Sequence, residues 1–529
     1  MKNRFLGNIL ALTAMCSALP CVAQTQSAKQ IPHSVRLGSA GTAWIGGAPY
    51  RSVTVHSPRL QSAAKAGPKW VPLVNQMPNT SDPNVTPGAA LLLTDGTVFA
   101  QDAGTADWWR LKPDVFGSYI NGTWTQAASM PYAPLYFASA VLPDGRVLVE
   151  GGEFVDFTFA ETTQGALYDP STDTWQPFPA SDDWSSGGDM PSVVLANGTF
   201  MLGNRNSQNA LLSRDPDFGT LFWAATGSTG GGNPPSSNDE SGWTLLSSGK
   251  VLTLDTGTNF ELYDPSTGVW TTIGSTGVPL KDTGEIGPQV LRPDGTVFVA
   301  GGSGHTGIYD SKTGRWKAGP DFPASIDGQL DVADGPGALL PNGNVLVAAS
   351  PGTFKNGTHF FEFDGRRLTE VASRPDAAAN SSFDFVALIL PTGEILVNDI
   401  NDGNGAMVYT SGGGYHGDWV PVIRSVPTTL HAGASYSLTG QRLNGMSQGA
   451  FYGDDFQSAT NYPLVRITNN ATGHVFYART HDHSSMAVAQ QTDSTTQFDV
   501  PAGIETGPSR LEVVTNGIPS HAEGVLVLP

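Results

Sequence analysis

Nine residues before the glycine of a recurrent hairpin turn, this chain repeatedly carries an acid. The seven positions are Pro87, Tyr136, Asp189, Glu240, Ile286, Asp334 and Asp384. Glu285 adjoins Ile286, and Asp239 adjoins Glu240, so five of seven repeats bring a carboxylate to the same place. Crowded carboxylates raise one another's pKa, collect a cation or meet a base. Such a set suits paired-carboxylate glycoside hydrolysis or metal-assisted chemistry. The plainer alternative is that each acid caps backbone N–H groups where its own strand starts. Further along, the segment ARTHDHSSM holds His481 and His483 two residues apart, on one side of a strand.

The positioning element is an apolar strand, a turn ending in Gly, and a second apolar strand. Its seven glycines are Gly96, Gly145, Gly198, Gly249, Gly295, Gly343 and Gly393, separated by 49, 53, 51, 46, 48 and 50 residues. Asp-Gly and Asn-Gly pairs at these turns predict two-residue hairpins with positive φ at both positions. A period near this length, with strands throughout, predicts a seven-bladed kelch-like β-propeller. A tryptophan then marks the outer strand of most repeats: Trp124, Trp175, Trp223, Trp270 and Trp316, with Leu368 in the sixth. These are expected to pack between blades. The segment KWVPLVNQMP before the first repeat resembles TWTQAASMP after it. Trp70 is therefore predicted to lie on the outer strand of the last blade and to close the ring, which removes exposed sheet edges.

Residues 1–23 read as a secretory signal, with Lys2 and Arg4 ahead of a short apolar stretch and Cys21-Val22-Ala23 as the cleavage site. A secreted or periplasmic location is expected. Residues 24–68 read as a poorly ordered lead, 69–420 as the propeller and 421–529 as an immunoglobulin-like β-sandwich of alternating strands. The whole is all-β. Both cysteines, Cys16 and Cys21, fall in the signal, so the exported chain would have no thiol. A net charge of −19 argues against nucleic acid as a partner, and no stretch reads as a membrane span. A monomer is expected. Trp108, Trp109, Trp184 and Trp243 lie off the outer strands, where each could stack on a sugar ring or simply pack in a loop. The GGSGHTG segment (301–307) is a blade turn, since no Lys follows and no helix opens.

Kelch-like blades followed by a sandwich resemble the galactose oxidase and glyoxal oxidase family, with its C-terminal early-set domain, over residues 69–529. The resemblance implies one copper ion and a tyrosyl radical, held by two tyrosines, one of them linked to a cysteine, and two histidines. In the family a Tyr-His pair precedes the inner strand of the last blade. Here LILPTG (388–393) matches that strand, and the aligned pair is Phe383-Asp384. Tyr415-His416 lies past the strand. With no cysteine in the exported chain, the copper-radical cofactor is not expected. The family also inserts a His into the axial channel from a hairpin of the second domain, and Thr480-His481 corresponds to it.

These readings combine into one expectation. His481 and His483 stand over Asp189, Glu240, Glu285, Asp334 and Asp384, near Tyr136, in an acidic axial pocket; the plainer alternative is that they are interface histidines hydrogen-bonded to blade backbone. The histidines, Asp334 and Asp384 are the candidate metal ligands, and the imidazoles are expected to favour their protonated forms. The protein would be secreted and carbohydrate-directed, binding or processing a saccharide; the residue types do not choose between the two. A non-catalytic cell-surface or matrix interaction module is the alternative. An oxidoreductase with a rearranged metal site is third.

Overall fold

The computed structural model describes residues 68–529, apart from 79–85, 182, 189, 216, 230–237, 239, 255–258, 282–284, 401–404 and 453–456. The signal (1–23), nearly all of the lead (24–68), Asp189 and Asp239 lie outside the described residues.

Seven antiparallel sheets of at least four strands follow one another along the chain. Their innermost strands are Pro87–Leu92, Ala138–Val141, Ser192–Val194, Trp243–Leu245, Ile286–Leu291, Pro336–Leu339 and Phe385–Ile389. Each packs against the next, and the last packs against the first, so the strands ring a central axis. These strands are buried on both faces. That explains their unbroken apolar runs, where a half-exposed strand would alternate. The fold is all-β, a β-propeller.

The turns differ from the predicted two-residue hairpins. Leu93 N–H donates to Thr97 O, and Gly96 N–H to Leu93 O, which makes a three-residue loop. Gly96 has φ 77°, while Asp95 is not left-handed. This is a turn closed by a left-handed glycine, the bulged alternative to the two-residue form. The residue before Gly works through its side chain instead of its backbone. Asp95, Asp144, Asn197, Asp294 and Asn342 each accept the N–H two residues on, at 2.9–3.1 Å. Asp and Asn suit this because their short side chains reach that N–H.

Three of the outer tryptophans staple neighbouring sheets by a hydrogen bond, whereas Trp270 and Trp316 leave Nε1 without a hydrogen-bond partner among the described residues. Trp124 Nε1 donates to Asn75 O, Trp175 to Ala128 O and Trp223 to Pro179 O, at 2.8–3.2 Å. Trp70 repeats the contact on Ala372 O at 2.6 Å. Its strand, Lys69–Pro72, pairs with Met407–Thr410 and completes the sheet of Phe385–Ile389. Trp108, Trp109, Trp184 and Trp243 are all buried, so none offers a face to a sugar.

From Val422 a second β unit begins. Its strands enclose a separate core that includes Leu438, Ile467, Phe498 and Val513. The strand Val475–His481 serves two halves of the unit. Val475–Ala478 pairs with Leu464–Asn469, and Arg479–His481 pairs with Ser494–Asp499. The unit sits on the hairpin-turn face of the ring, where Tyr477 lies against Gly96 and Gly517 against Gly393, and Trp419, just ahead of the unit, lies against Gly343. No helix among the described residues is long and apolar enough to cross a membrane.

Closure by Lys69–Pro72 has a measurable consequence. A truncation ending at Pro72 should melt well below one ending at residue 67, and Trp70→Ala alone should cost about 2–4 kcal/mol in chemical denaturation. Equal melting of the two truncations would contradict closure by this strand.

Candidate functional site

The inner strands start at the ring face away from the turns. Among the described residues, three starting positions take a left-handed backbone without being glycine: Tyr136 (φ 54°), Glu240 (φ 54°) and Asp334 (φ 48°). Such a conformation costs about 1–3 kcal/mol per residue. Here it falls where the chain approaches the start of an inner strand.

Three acids converge there. Glu240, Glu285 and Asp334, from the fourth, fifth and sixth sheets, bring carboxylate oxygens within 4.8 Å of one another. Glu285 is 3 % exposed. Burial pushes its pKa up to about 9, and the charge of Asp334 adds to the rise. Its carboxyl therefore holds a proton at neutral pH, beside two other carboxyl groups. Oxygen donors in this number suit a hard cation, and a neutral acid beside carboxylates suits proton transfer.

Asp384 is not one of the three. Its Oδ2 accepts the Ser381 N–H at 2.8 Å and caps the short turn Ser382–Asp384. The capping role thus applies to Asp384. Just upstream, a buried ion group fixes the same segment. Arg374 meets Asp376 through two hydrogen bonds of 2.6 and 2.9 Å and donates to Val397 O at 2.7 Å. Asp399 is 3.9 Å from the guanidinium, and all three side chains are buried. Burial acts to raise the Asp376 pKa, but the Arg374 hydrogen bonds and charge outweigh it and hold the carboxyl below its ordinary value.

The histidines are elsewhere, which corrects the axial-pocket expectation. Thr480 N–H donates to Thr94 O, and His483 N–H donates to Pro143 O. Both acceptors belong to hairpin turns. Tyr136, at the other end of the same inner strand, is seven residues from Pro143, roughly 23 Å of extended chain. His481 pairs with Asp482 at 2.8 Å and Asp499 at 3.2 Å, both in its own unit. His483 does not favour its protonated form: burial, then the His481 charge, lowers its pKa to about 3. Neither histidine shares a metal site with Asp334 or Asp384. Their segment meets the turn end of the ring, and local spacing says nothing of which end a strand will meet.

What occupies the axis is a segment the sequence reading passed over. Between Leu443 and Leu464 the chain leaves the second unit and threads the ring. Gln448 Oε1 accepts Leu245 N–H at 2.7 Å, and Gly449 O accepts Leu339 N–H at 2.7 Å. Ala450–Tyr452 then pairs with Pro336–Leu339 as a fifth strand, with Tyr452 opposite Pro336. Tyr452 thus arrives two residues from Asp334. Its hydroxyl donates to Phe383 O at 2.8 Å, and its ring stacks on Tyr136 at 6.3 Å. The chain returns through Ser458, bonded to Ala90 O, and Tyr462, bonded to Leu92 O. The usable signal was length: about twenty residues without alternation is long for a loop inside a compact unit. Tyr415 and His416 lie near Trp419 on the turn face, away from the rim.

A β-propeller with an acidic axial rim is the class that these features define. No family model matches the chain. It is similar to a Kelch-like protein, terF, of Aspergillus terreus (strain NIH 2624 / FGSC A1156), 25% identical over 261 residues. The match covers 44% of this chain and 54% of the relative, so the chain spans about half the length of the curated relative. Among solved structures it is similar to a fungal alcohol oxidase of the AA5 family in complex with copper. There the TM-score is 0.47 at 15% identity, over 87% of this chain and 99% of that one. A catalytically inactive virginiamycin B lyase from Staphylococcus aureus with quinupristin gives 0.45 at 11%, over 65% and 99%. At these scores neither likeness says anything of this chain's chemistry.

Two outcomes follow from the site's electrostatics. Glu285 keeps in the folded state a proton that the unfolded chain releases near pH 4.5, so its contribution to stability fades as pH rises toward about 9. Glu285→Gln should remove that alkaline loss and leave stability at low pH nearly unchanged; unfolding titrations with matching pH slopes would contradict this. Arg374→Met should cost about 3–5 kcal/mol, because it strands two buried carboxylates. A loss under about 1 kcal/mol would show that they are not stranded.

Proposed function

We propose that this chain is an exported, carbohydrate-directed propeller protein that takes its ligand at the axial rim through Glu240, Glu285 and Asp334. The observation that carries the reading is the meeting of three carboxyl groups from three sheets, one of them buried and neutral. A saccharide hydroxyl is both donor and acceptor, and it finds both partners there: the protonated Glu285 donates, and the other two carboxyls accept. The same pairing supplies an acid and a base to a glycosidic oxygen, should the bound sugar be processed. A hard cation competes for the trio by displacing the Glu285 proton. Copper-radical chemistry has no place in this reading. Phe383 and Asp384 stand where the resembled family has its Tyr-His pair, and both cysteines lie within residues 1–23. Export rests on that segment.

Binding to a neutral glycan panel tests the proposal. Wild type should retain at least one saccharide, and Glu285→Gln and Asp334→Asn should each weaken it about tenfold or more. Affinity should fall as pH rises through about 9, as Glu285 loses the proton it donates. Retention of no glycan, or equal retention by the variants, would overturn it.

A further inference from the structure

His483 is an imidazole at the joint between the two units. Its residue is 8 % exposed. Its backbone N–H donates to Pro143 O in the turn of the second sheet at 3.1 Å. Its ring lies parallel to Tyr462, centroids 6.3 Å apart, and the Tyr462 hydroxyl donates to Leu92 O of the first sheet. The imidazole therefore backs a contact to each of two neighbouring blades.

Hydrogen bonding fixes which nitrogen is bare. Thr496 Oγ1 lies 2.9 Å from His483 Nδ1 and spends its own hydrogen on the Gln497 or His481 carbonyl, at 3.0 and 3.2 Å. Nδ1 therefore carries the hydrogen and donates to Thr496. Nε2 keeps a lone pair and has no hydrogen-bond partner among the described residues. A second proton can go only to Nε2. It would create a buried charge and a donor with no hydrogen-bond acceptor among the described residues, which weakens the docked pose. The charged groups around the ring do not offset this. Arg479, His481 and Asp482 face it from its own unit, and Asp144 faces it from the propeller. Asp144 is already engaged by Arg146 at 2.6 Å.

We infer that His483 is an acid-sensitive latch that holds the second unit on the hairpin-turn face of the propeller. The sign follows from the folded value of about 3 against an ordinary 6.5. A depressed histidine stabilises the dock above about pH 6.5, and that support drains away as pH falls toward 3. Opening starts at the Pro143 contact, while the axial segment stays paired through Ala450–Tyr452.

Hydrogen exchange read by mass spectrometry on the full chain tests the latch. After correction for intrinsic rates, peptides spanning 475–486 and 140–147 should lose protection about tenfold between about pH 7 and about pH 4.5. Peptides from Pro336–Leu339 should not. His483→Gln, which can hold Thr496 without titrating, should keep its protection within about twofold. Unchanged wild-type protection, or the same acid loss in the variant, would overturn the inference. Should the variant not fold, the wild-type ring proton answers by NMR: a histidine that titrates near pH 6.5 while docked is no latch, and one that titrates only as the dock opens is.

Discussion

The strand Lys69–Pro72 belongs to a sheet whose other three strands come from the far end of the ring. Closing a ring this way brings the two ends of a long stretch together, and a single four-strand blade has no means of burying both faces alone. Once closed, every inner strand has a neighbouring blade on each side, and only its axis-facing edge still needs partners. The apolar interior, the Trp staples and the narrow rim all depend on that circle. The rim is narrow because seven strands start around one axis, so side chains distant in sequence become neighbours. Glu240, Glu285 and Asp334 meet for that reason and no local one.

The axial segment completes what closure begins. A ring of seven inner strands leaves a channel, and backbone polar groups lining it need partners. Gln448, Gly449, Ser458 and Tyr462 supply some of them on the way through. Tyr452 then fills the floor beneath the rim, against Tyr136 and Phe383. The left-handed backbones at Glu240 and Asp334 mark where the chain accepts strain as it approaches an inner strand. One buried acid kept neutral beside two others is the chemical result.

Features carried by recurring residue types were legible in the sequence. The turn glycines, the recurring tryptophans and the likeness of KWVPLVNQMP to TWTQAASMP are patterns of this kind, and Lys69–Pro72 pairs with Met407–Thr410. The turn type was misread in detail, because Asp-Gly also suits a longer loop when Asp caps through its side chain. The acids were legible as a set, but not their sorting. Asp384 had a local sign of its cap in the spacing Ser381 to Asp384, whereas the gathering of Glu240, Glu285 and Asp334 is a product of the ring. His481 and His483 misled because the resemblance supplied their place. Which face of a propeller a second unit docks on is decided by surfaces that no window of sequence contains. The axial segment between Leu443 and Leu464 was invisible to strand periodicity because it borrows its pairing from Pro336–Leu339.

The central claim is that Glu285 is a neutral acid held among carboxylates at the axis. Carbon-13 NMR of its labelled side-chain carboxyl, assigned by loss of the signal in Glu285→Gln, reads this directly. The account predicts a titration midpoint near 9, where burial and Asp334 place it. A midpoint near the ordinary 4.5 would contradict it: Glu285 would be charged at neutral pH, and the rim would lose its neutral acid.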